Sequence, residues 1–265
     1  MGSVMSTFQE FSIIKRFTLR LIEQFSYLGL QINQLINLKN LPRYFKELQD
    51  FRRKGGEYTG LTALLNDYTA SAGVASGHYF HQDLLVARFI FEKNPKEHFD
   101  FGSRVDGFIA HLASFREVTL MDIRSLEIPE HPQIDFRVFD ITQLEEHDVV
   151  ESLSCLHTLE HIGLGRYGDE INPNGHILAF DKLLKFVKPG GLFYVSFPIS
   201  NTTKVYFNRE RVIAPLELMS WSECSFDIER FDYVDDLGNL HLNQELSESI
   251  PKLDYGCGIY TIRKN

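Results

Sequence analysis

From His98 onward the chain repeats one device: runs of four to eight mostly apolar residues, HFDF, VTLMDI, DFRVFDI, DVVESLS and LFYVSFP, alternate with segments of helical length. Short apolar runs spaced in this way are buried on both faces when they form a parallel sheet covered by its own crossovers. Two more strand-like runs, FDIERFDYV and GIYTIR, close the series without a clear crossover helix between them, which makes the last strand antiparallel. The expected fold is α/β: a seven-stranded, mostly parallel sheet with helices on both faces.

The segment before this series reads differently. Ile14, Phe17, Leu21, Phe25, Leu28, Ile32 and Leu35 recur at helical spacing over residues 11–38, with Lys15, Arg16 and Arg20 on the other side. LPRYFKELQDFRRKGG predicts a short helix with Pro42 near its start and Gly55 and Gly56 past its end. Residues 55–77 are rich in Gly, Ser, Thr and Ala and form a connector. Phe80, Leu84, Leu85 and Ile90 then predict a helix that stops at Asn94 and Pro95. The chain therefore divides into an N-terminal helical extension with connector, 1–77, and the sheet domain, 78–265.

Charge narrows the partners. The net charge is −9, yet residues 1–54 hold nine Lys/Arg against four acids and carry +5, leaving −14 on the remainder. Nucleic acid, which demands a basic surface, is not the expected partner. The basic helical extension fits peripheral membrane contact or self-association through residues 11–54. The longest uncharged run near the N-terminus has 15 residues, too short for the roughly 20 apolar residues of a membrane span. The three cysteines, Cys155, Cys224 and Cys257, fit neither a disulfide framework nor a zinc pattern. A cytoplasmic protein is expected, with contact at the inner face of the membrane as the alternative that the extension opens.

In an open α/β sheet the ligand lies beyond the carboxyl ends of the strands. The first strand runs into Gly102, Ser103 and Arg104 after Asp100, without the G-x-G-x-x-G that a dinucleotide needs. Arg104 stands in place of a glycine, and Asp106 would repel a pyrophosphate. Acids suit a ligand without phosphate, and S-adenosylmethionine, with its sulfonium and ammonium, is such a ligand. Asp122, beside Ile123, ends the second strand where a carboxylate can take ribose hydroxyls. Asp140, beside Ile141, ends the third, near an adenine amino group. Carboxylates at strand ends also cap helices, so each alone is weak; three in register point to one site.

HFDFGSRVDGF, VTLMDI, RVFDIT, DVVESLSCLHTLEHIGLGRYGD and LLKFVKPGGLFYVSFP resemble the successive motifs of class I S-adenosylmethionine-dependent methyltransferases over roughly residues 97–200. The run SLSCLHTLEHIGLGRYGD resembles a methyltransferase-like branch associated with bacterial surface-polysaccharide genes. The resemblance implies a Rossmann-like fold, S-adenosylmethionine as cofactor, and methyl transfer to a hydroxyl or amine of a saccharide or other small molecule. The usual D-x-G-x-G-x-G is D-F-G-S-R-V-D-G here.

Such a transfer needs alignment and a base for the acceptor proton. His157, Glu160 and His161 follow the fourth strand, where the superfamily presents acceptor-side groups, and either imidazole suits that role. HTLEH also spells the inverted zinc-peptidase motif, but it follows a strand and runs into Gly163 and Gly165 instead of lying in a long helix. No metal is expected; a divalent ion on His157, Glu160, His161 or Asp169 is the alternative. Arg166, Tyr167 and Asp169 in the glycine-rich loop, and Asn208 and Arg211 beyond the fifth strand, are candidate acceptor contacts, arginine because it grips phosphate or carboxylate with two donors. The competing reading of the whole chain is a methyltransferase fold without catalysis, serving as a scaffold or nucleoside-binding partner.

Overall fold

A computed structural model describes residues 36–126, 131–247 and 253–265. The helix expected over 11–38 lies, up to residue 35, outside the described residues. Contacts divide the chain into two compact units that meet between Val74 and Ala75.

In the first unit, helix α1 (Leu41–Arg53) has Pro42 in its first turn and ends where Gly55, at φ 86°, and Gly56 return their N–H groups to the Arg52 and Phe51 carbonyls. No residue of α1 is buried. Polar contacts hold it instead to the following loop: Glu47 accepts from Arg43 at 2.8 Å and from Tyr68 at 2.6 Å, and the Arg43 guanidinium lies over the Tyr68 ring.

In the second unit, β1 (Phe99–Phe101), β2 (Val118–Asp122), β3 (Ile134–Val138), β4 (Val150–Leu156), β5 (Val187–Ile199), β8 (Phe226–Val234), β9 (Leu240–His241) and β10 (Gly256–Lys264) form one sheet in the order β3-β2-β1-β4-β5-β10-β8-β9. The pairs from β3 through β5 are parallel, and those of β10 and β9 are antiparallel. The first strand is central and the chain winds outward from it in both directions, which is the Rossmann-like arrangement with an antiparallel final strand. All seven expected strands are in the sheet. The eighth, β9, is a two-residue edge strand with no signal in the sequence. A separate hairpin, β6 (Lys204–Tyr206) with β7 (Glu210–Val212), follows β5.

Helices cover both faces, though fewer than the alternation suggested. On one face α4 (Gly175–Phe186) packs Ala179, Phe180, Leu183 and Leu184 against β4 and β5. On the other, α2 (His78–Lys93) and the short α3 (Ala110–Ala113) pack Val86, Ile90 and Leu112 with Val118 and Leu120. Between β3 and β4 there is only the turn Ile141–Gln143, because residues 139–149 are too few for a helical crossover, which takes about a dozen or more. KPGG, which reads as a turn before a strand, lies inside β5: Val150 pairs with Val187 and Ser152 with Leu192, so the glycines bulge out of the ladder.

The buried face of α2 also departs from the pattern. Phe80 and Leu84 are exposed, whereas Gln82 and Asp83 are buried beside Val86, Ala87 and Ile90. Their polarity is satisfied inside: Gln82 accepts from Ser196 Oγ at 2.6 Å and donates to Asp83 at 3.1 Å. The helix ends at Asn94, φ 46°, which returns its N–H to Ile90. Among the described residues no helix is long and apolar enough to cross a membrane.

Candidate functional site

A cleft opens at the carboxyl ends of β1, β2, β3 and β4. Its lining includes Gly102 from the loop after β1, Asp122, Ile123 and Arg124 after β2, Asp140 and Ile141 after β3, and His157, Thr158 and His161 after β4, with Tyr167 and Asp169 from the next loop. Most of the remaining lining is apolar: Phe101, Met121, Phe139 and Ile162.

Gly102 is required by its conformation and by space. It sits at φ 71°, and a Cβ there would meet Thr158 Cγ2 at 2.6 Å. The acid and hydroxyl beside it lie behind the cleft instead of lining it. Asp100 is fully buried and accepts from the Ser103 N–H at 3.0 Å, from Ser103 Oγ at 2.7 Å and from Ser154 Oγ. Ser103 Oγ in turn accepts from the Leu156 N–H at 3.0 Å, so the pair ties the β1 loop to the end of β4. Burial lifts the Asp100 carboxyl to about 7, against the pull of the two serines. His98 continues this network, bonded to Ser152 and Ser154, and burial pushes it down to about 3.

Arg104 also turns away. It pairs with Asp106 at 2.9 Å and stacks on Tyr79, so the two residues that replace the usual glycines leave the cleft open.

Asp122 does line the cleft. Arg124 holds it with two guanidinium bonds, at 2.9 and 2.6 Å, and a backbone bond at 2.8 Å. A carboxylate offers about four lone-pair sites, so acceptor capacity remains. Asp140 lies two residues past β3, where its Oδ1 accepts both the N–H and the hydroxyl of Thr142 at 2.8 Å. Its Oδ2 stays available.

After β4 the chain turns sharply. His157 has φ 51°, an uncommon conformation for a residue with a side chain, and donates its N–H to Ser196 at 2.9 Å. Its Nδ1 lies 2.8 Å from Glu160 Oε1, and Glu160 is fully buried. Burial works against a charged imidazole there, while Cys257 and the Glu160 carboxylate work for it; the outcome is a pKa well above the usual value. His78 and Tyr79 lie against the His157 ring at 5.3 and 4.9 Å.

His161 is oriented differently. Its Nδ1 lies 2.8 Å from the Arg209 carbonyl, which can only accept, so Nδ1 carries the proton and Nε2 keeps a lone pair. Nε2 lies 3.7 Å from Glu160 Oε1. Burial leads the lowering of the His161 pKa, and the neighbouring Arg166 charge adds to it.

The acceptor-side candidates divide into two groups. Asp169 staples its own loop, accepting from the N–H groups of Gly163, Gly165 and Tyr167 at 2.6, 3.3 and 3.2 Å. Tyr167 packs on its edge against His161 and beneath the Arg124 and Arg166 guanidinium groups. Arg166 donates to the Arg209 carbonyl at 3.0 Å. Asn208, by contrast, is exposed in the β6–β7 turn and away from the cleft. Arg211 is buried and spends its donors on the carbonyls of Glu160, Ile162, Asn172 and Pro173, so it clamps the loop and has no fork to offer an anion.

Nothing in the sequence placed Thr158, His78, Tyr79 or Cys257 at a site. Thr158 follows directly from the space Gly102 must leave, but no spacing links His78 and Cys257 to His157; only the packing of α2 on the sheet and the place of β10 within it bring them together. Tyr260 and Lys264, both in β10, donate to backbone carbonyls elsewhere: Tyr260 to Pro215, Lys264 to Lys185 and Val187.

Comparison with known proteins gives the following. The family described as "Caenorhabditis protein of unknown function, DUF268" matches residues 128–236. No curated protein matches the chain. Among solved structures, the N-methyltransferase NodS from Bradyrhizobium japonicum WM9 is 12% identical, with 72% of this chain and 99% of that one covered at a TM-score of 0.48. The 1,6-didemethyltoxoflavin-N1-methyltransferase from Burkholderia thailandensis is 16% identical, with 79% and 93% covered at 0.46. The [4+2]-cyclase SpnF is 14% identical, with 69% and 81% covered at 0.47.

Proposed function

We propose that the chain is a methyltransferase that holds S-adenosyl-L-methionine in the cleft and passes its methyl group to a hydroxyl or amine of a small molecule. The observation that carries this reading is the placement of Asp122 and Asp140 at neighbouring strand ends, on one apolar cleft beside Gly102, with the His161 Nε2 lone pair in the same cleft. Hydrogen-bond acceptors at those points suit the ribose hydroxyls and the adenine amino group, and Met121, Ile123, Phe139 and Ile141 offer surfaces for a flat base. Arg124, the guanidinium among the described lining residues, is already paired with Asp122, so the cleft offers little to a pyrophosphate.

The cofactor supplies a methyl group on a positively charged sulfur. With the cofactor bound, His161 would take the acceptor's proton on Nε2 as the acceptor oxygen or nitrogen received the methyl group. Glu160, 3.7 Å away, stabilises the imidazolium that results. Glu160 also holds His157 by Nδ1, which fixes that ring at the edge of the reaction space. Tyr167 and Arg166 form the neighbouring wall. A saccharide or glycan acceptor is the class proposed, on the resemblance of the run containing Arg166, Tyr167 and Asp169. Residues 11–54 are proposed as a peripheral membrane or self-association segment; equal pelleting with anionic liposomes of the intact chain and of residues 55–265 would remove the membrane role.

Titration calorimetry with S-adenosylhomocysteine tests the cofactor directly. Micromolar binding supports the reading. A folded sample that binds none overturns it and leaves the scaffold reading.

A further inference from the structure

A second cluster meets His157 from the side that Glu160 does not occupy. His78 opens α2, His157 follows β4, and Cys257 lies in β10; one donor atom from each lies within 4.8 Å of the other two. Nδ1 of His157 is taken by Glu160, so Nε2 is the atom it has left to offer. That nitrogen is buried and has no hydrogen-bond partner, in a side chain only 6% exposed. Oε2 of Glu160 is likewise buried and without a partner. A buried polar atom left without a partner is costly, so both atoms call for one.

The surroundings are those of a metal-bound imidazole. Metal-ligating histidines characteristically engage a carboxylate through their second nitrogen, which fixes the tautomer and raises the basicity of the first. His78 is held in turn by stacking on Tyr255 at 5.2 Å. The Cys257 thiol is fully buried beside His157, and its contacts to Gln82 Oε1 and to the Gly258 carbonyl are long, 3.7 Å each.

We propose that His78, His157 and Cys257 bind one zinc ion. Two imidazoles and a thiolate form a nitrogen and sulfur donor set that suits this borderline-soft ion and does not suit magnesium or calcium, which take oxygen. At Zn–N of about 2.0–2.1 Å and Zn–S of about 2.3 Å, the three donors close up by about 1 Å. His157, whose pKa lies well above the usual value, and Cys257 each release a proton as the ion binds. Three protein ligands leave a fourth position, and because His157 also lines the cleft, that position takes an oxygen from water or from a molecule held there. This site goes beyond the proposed methyl transfer and does not depend on it.

The test uses the full chain, freed of metal with a chelator, and metal alone. Cobalt(II) titration should give a stoichiometric thiolate-to-cobalt absorption band, and zinc should bleach it. Cys257→Ser should abolish the band and His78→Ala should weaken cobalt affinity by at least tenfold, while Cys224→Ser, which alters the half-exposed thiol, should leave the band intact. Circular dichroism confirms that each variant is folded. Loss of the band in Cys224→Ser but not in Cys257→Ser, cobalt binding without a thiolate band, or no binding by the folded native chain overturns the proposal. S-adenosylhomocysteine titrations on the same metal-free samples report the cofactor reading separately.

Discussion

His161 donates from Nδ1 to the backbone carbonyl of Arg209 across 2.8 Å, so a residue of the β6–β7 hairpin decides which nitrogen of a cleft histidine can accept a proton. His161→Ala should lower methyl transfer by about 10²- to 10⁴-fold, the usual worth of a general base, with S-adenosylhomocysteine affinity unchanged in calorimetry. Because burial lowers the His161 pKa, the imidazole stays neutral below the ordinary 6.5, and the acid limb of the pH–rate profile should fall below that value. An acid limb centred above 6.5 would remove His161 from this role.

Asp122 lines the cleft with its carboxylate held by an exposed arginine. Asp122→Ala should weaken S-adenosylhomocysteine binding by roughly ten- to hundredfold, from the loss of about 1–3 kcal/mol of charge-assisted bonding. The melting temperature should fall only modestly, since Arg124 is half-exposed and is taken up by solvent when its partner is removed. Equal affinity in variant and native chain would remove the ribose assignment.

Asp100 and His98 form one buried network with opposed pH dependence. The Asp100 carboxyl titrates at about 7 in the fold against an ordinary 3.8, so the fold holds the extra proton between those values and stability is lost as pH rises through about 7. His98 titrates at about 3 against an ordinary 6.5, so there the unfolded chain holds the extra proton and stability is lost as pH falls below 6.5. Asp100→Asn mimics the neutral carboxyl and leaves the histidine slope unopposed. Denaturant titrations between about pH 4 and 6.5 should show its stability rising relative to the native chain by about 1.4 kcal/mol per pH unit. Parallel curves would show that the carboxyl is not neutral in the fold.

Arg211 is a clamp. Arg211→Met keeps much of the buried stem but withdraws its donors from four carbonyls, of which only that of Asn172 keeps another, the Gly175 N–H, and should destabilise the chain by about 3 kcal/mol, read as a fall in the denaturation midpoint. Asn208→Ala, in an exposed turn, should change it by about 0.5 kcal/mol or less.

What the sequence disclosed was local. Short apolar runs marked the strands, and His157, Glu160 and His161 were readable as one group because they fall within a single turn. Asp100 and Ser103 also carried a local signal that was available: an acid followed three residues later by a serine is the spacing of a side chain bonding back to its own loop. Arg211 was unreadable because its partners are backbone carbonyls, which leave no mark on a sequence. The polar face of α2 was hidden for the same kind of reason, since Gln82 finds Ser196 from a distant strand. β9 and the crossover lacking a helix follow from chain length and edge geometry, to which apolar periodicity is blind.

The sheet order has a consequence for how the protein is made. β10 follows β8 in the chain but lies between β8 and β5, pairing with both. During synthesis β5 is therefore finished long before β10 exists, and β8 emerges with only the two-residue β9 to join. Both present open backbone edges of the kind that recruit foreign strands. Arrival of β10 closes the two edges at once and delivers Cys257 to His157 in the same step, so the emerging chain acquires its last structural seam and its thiol together.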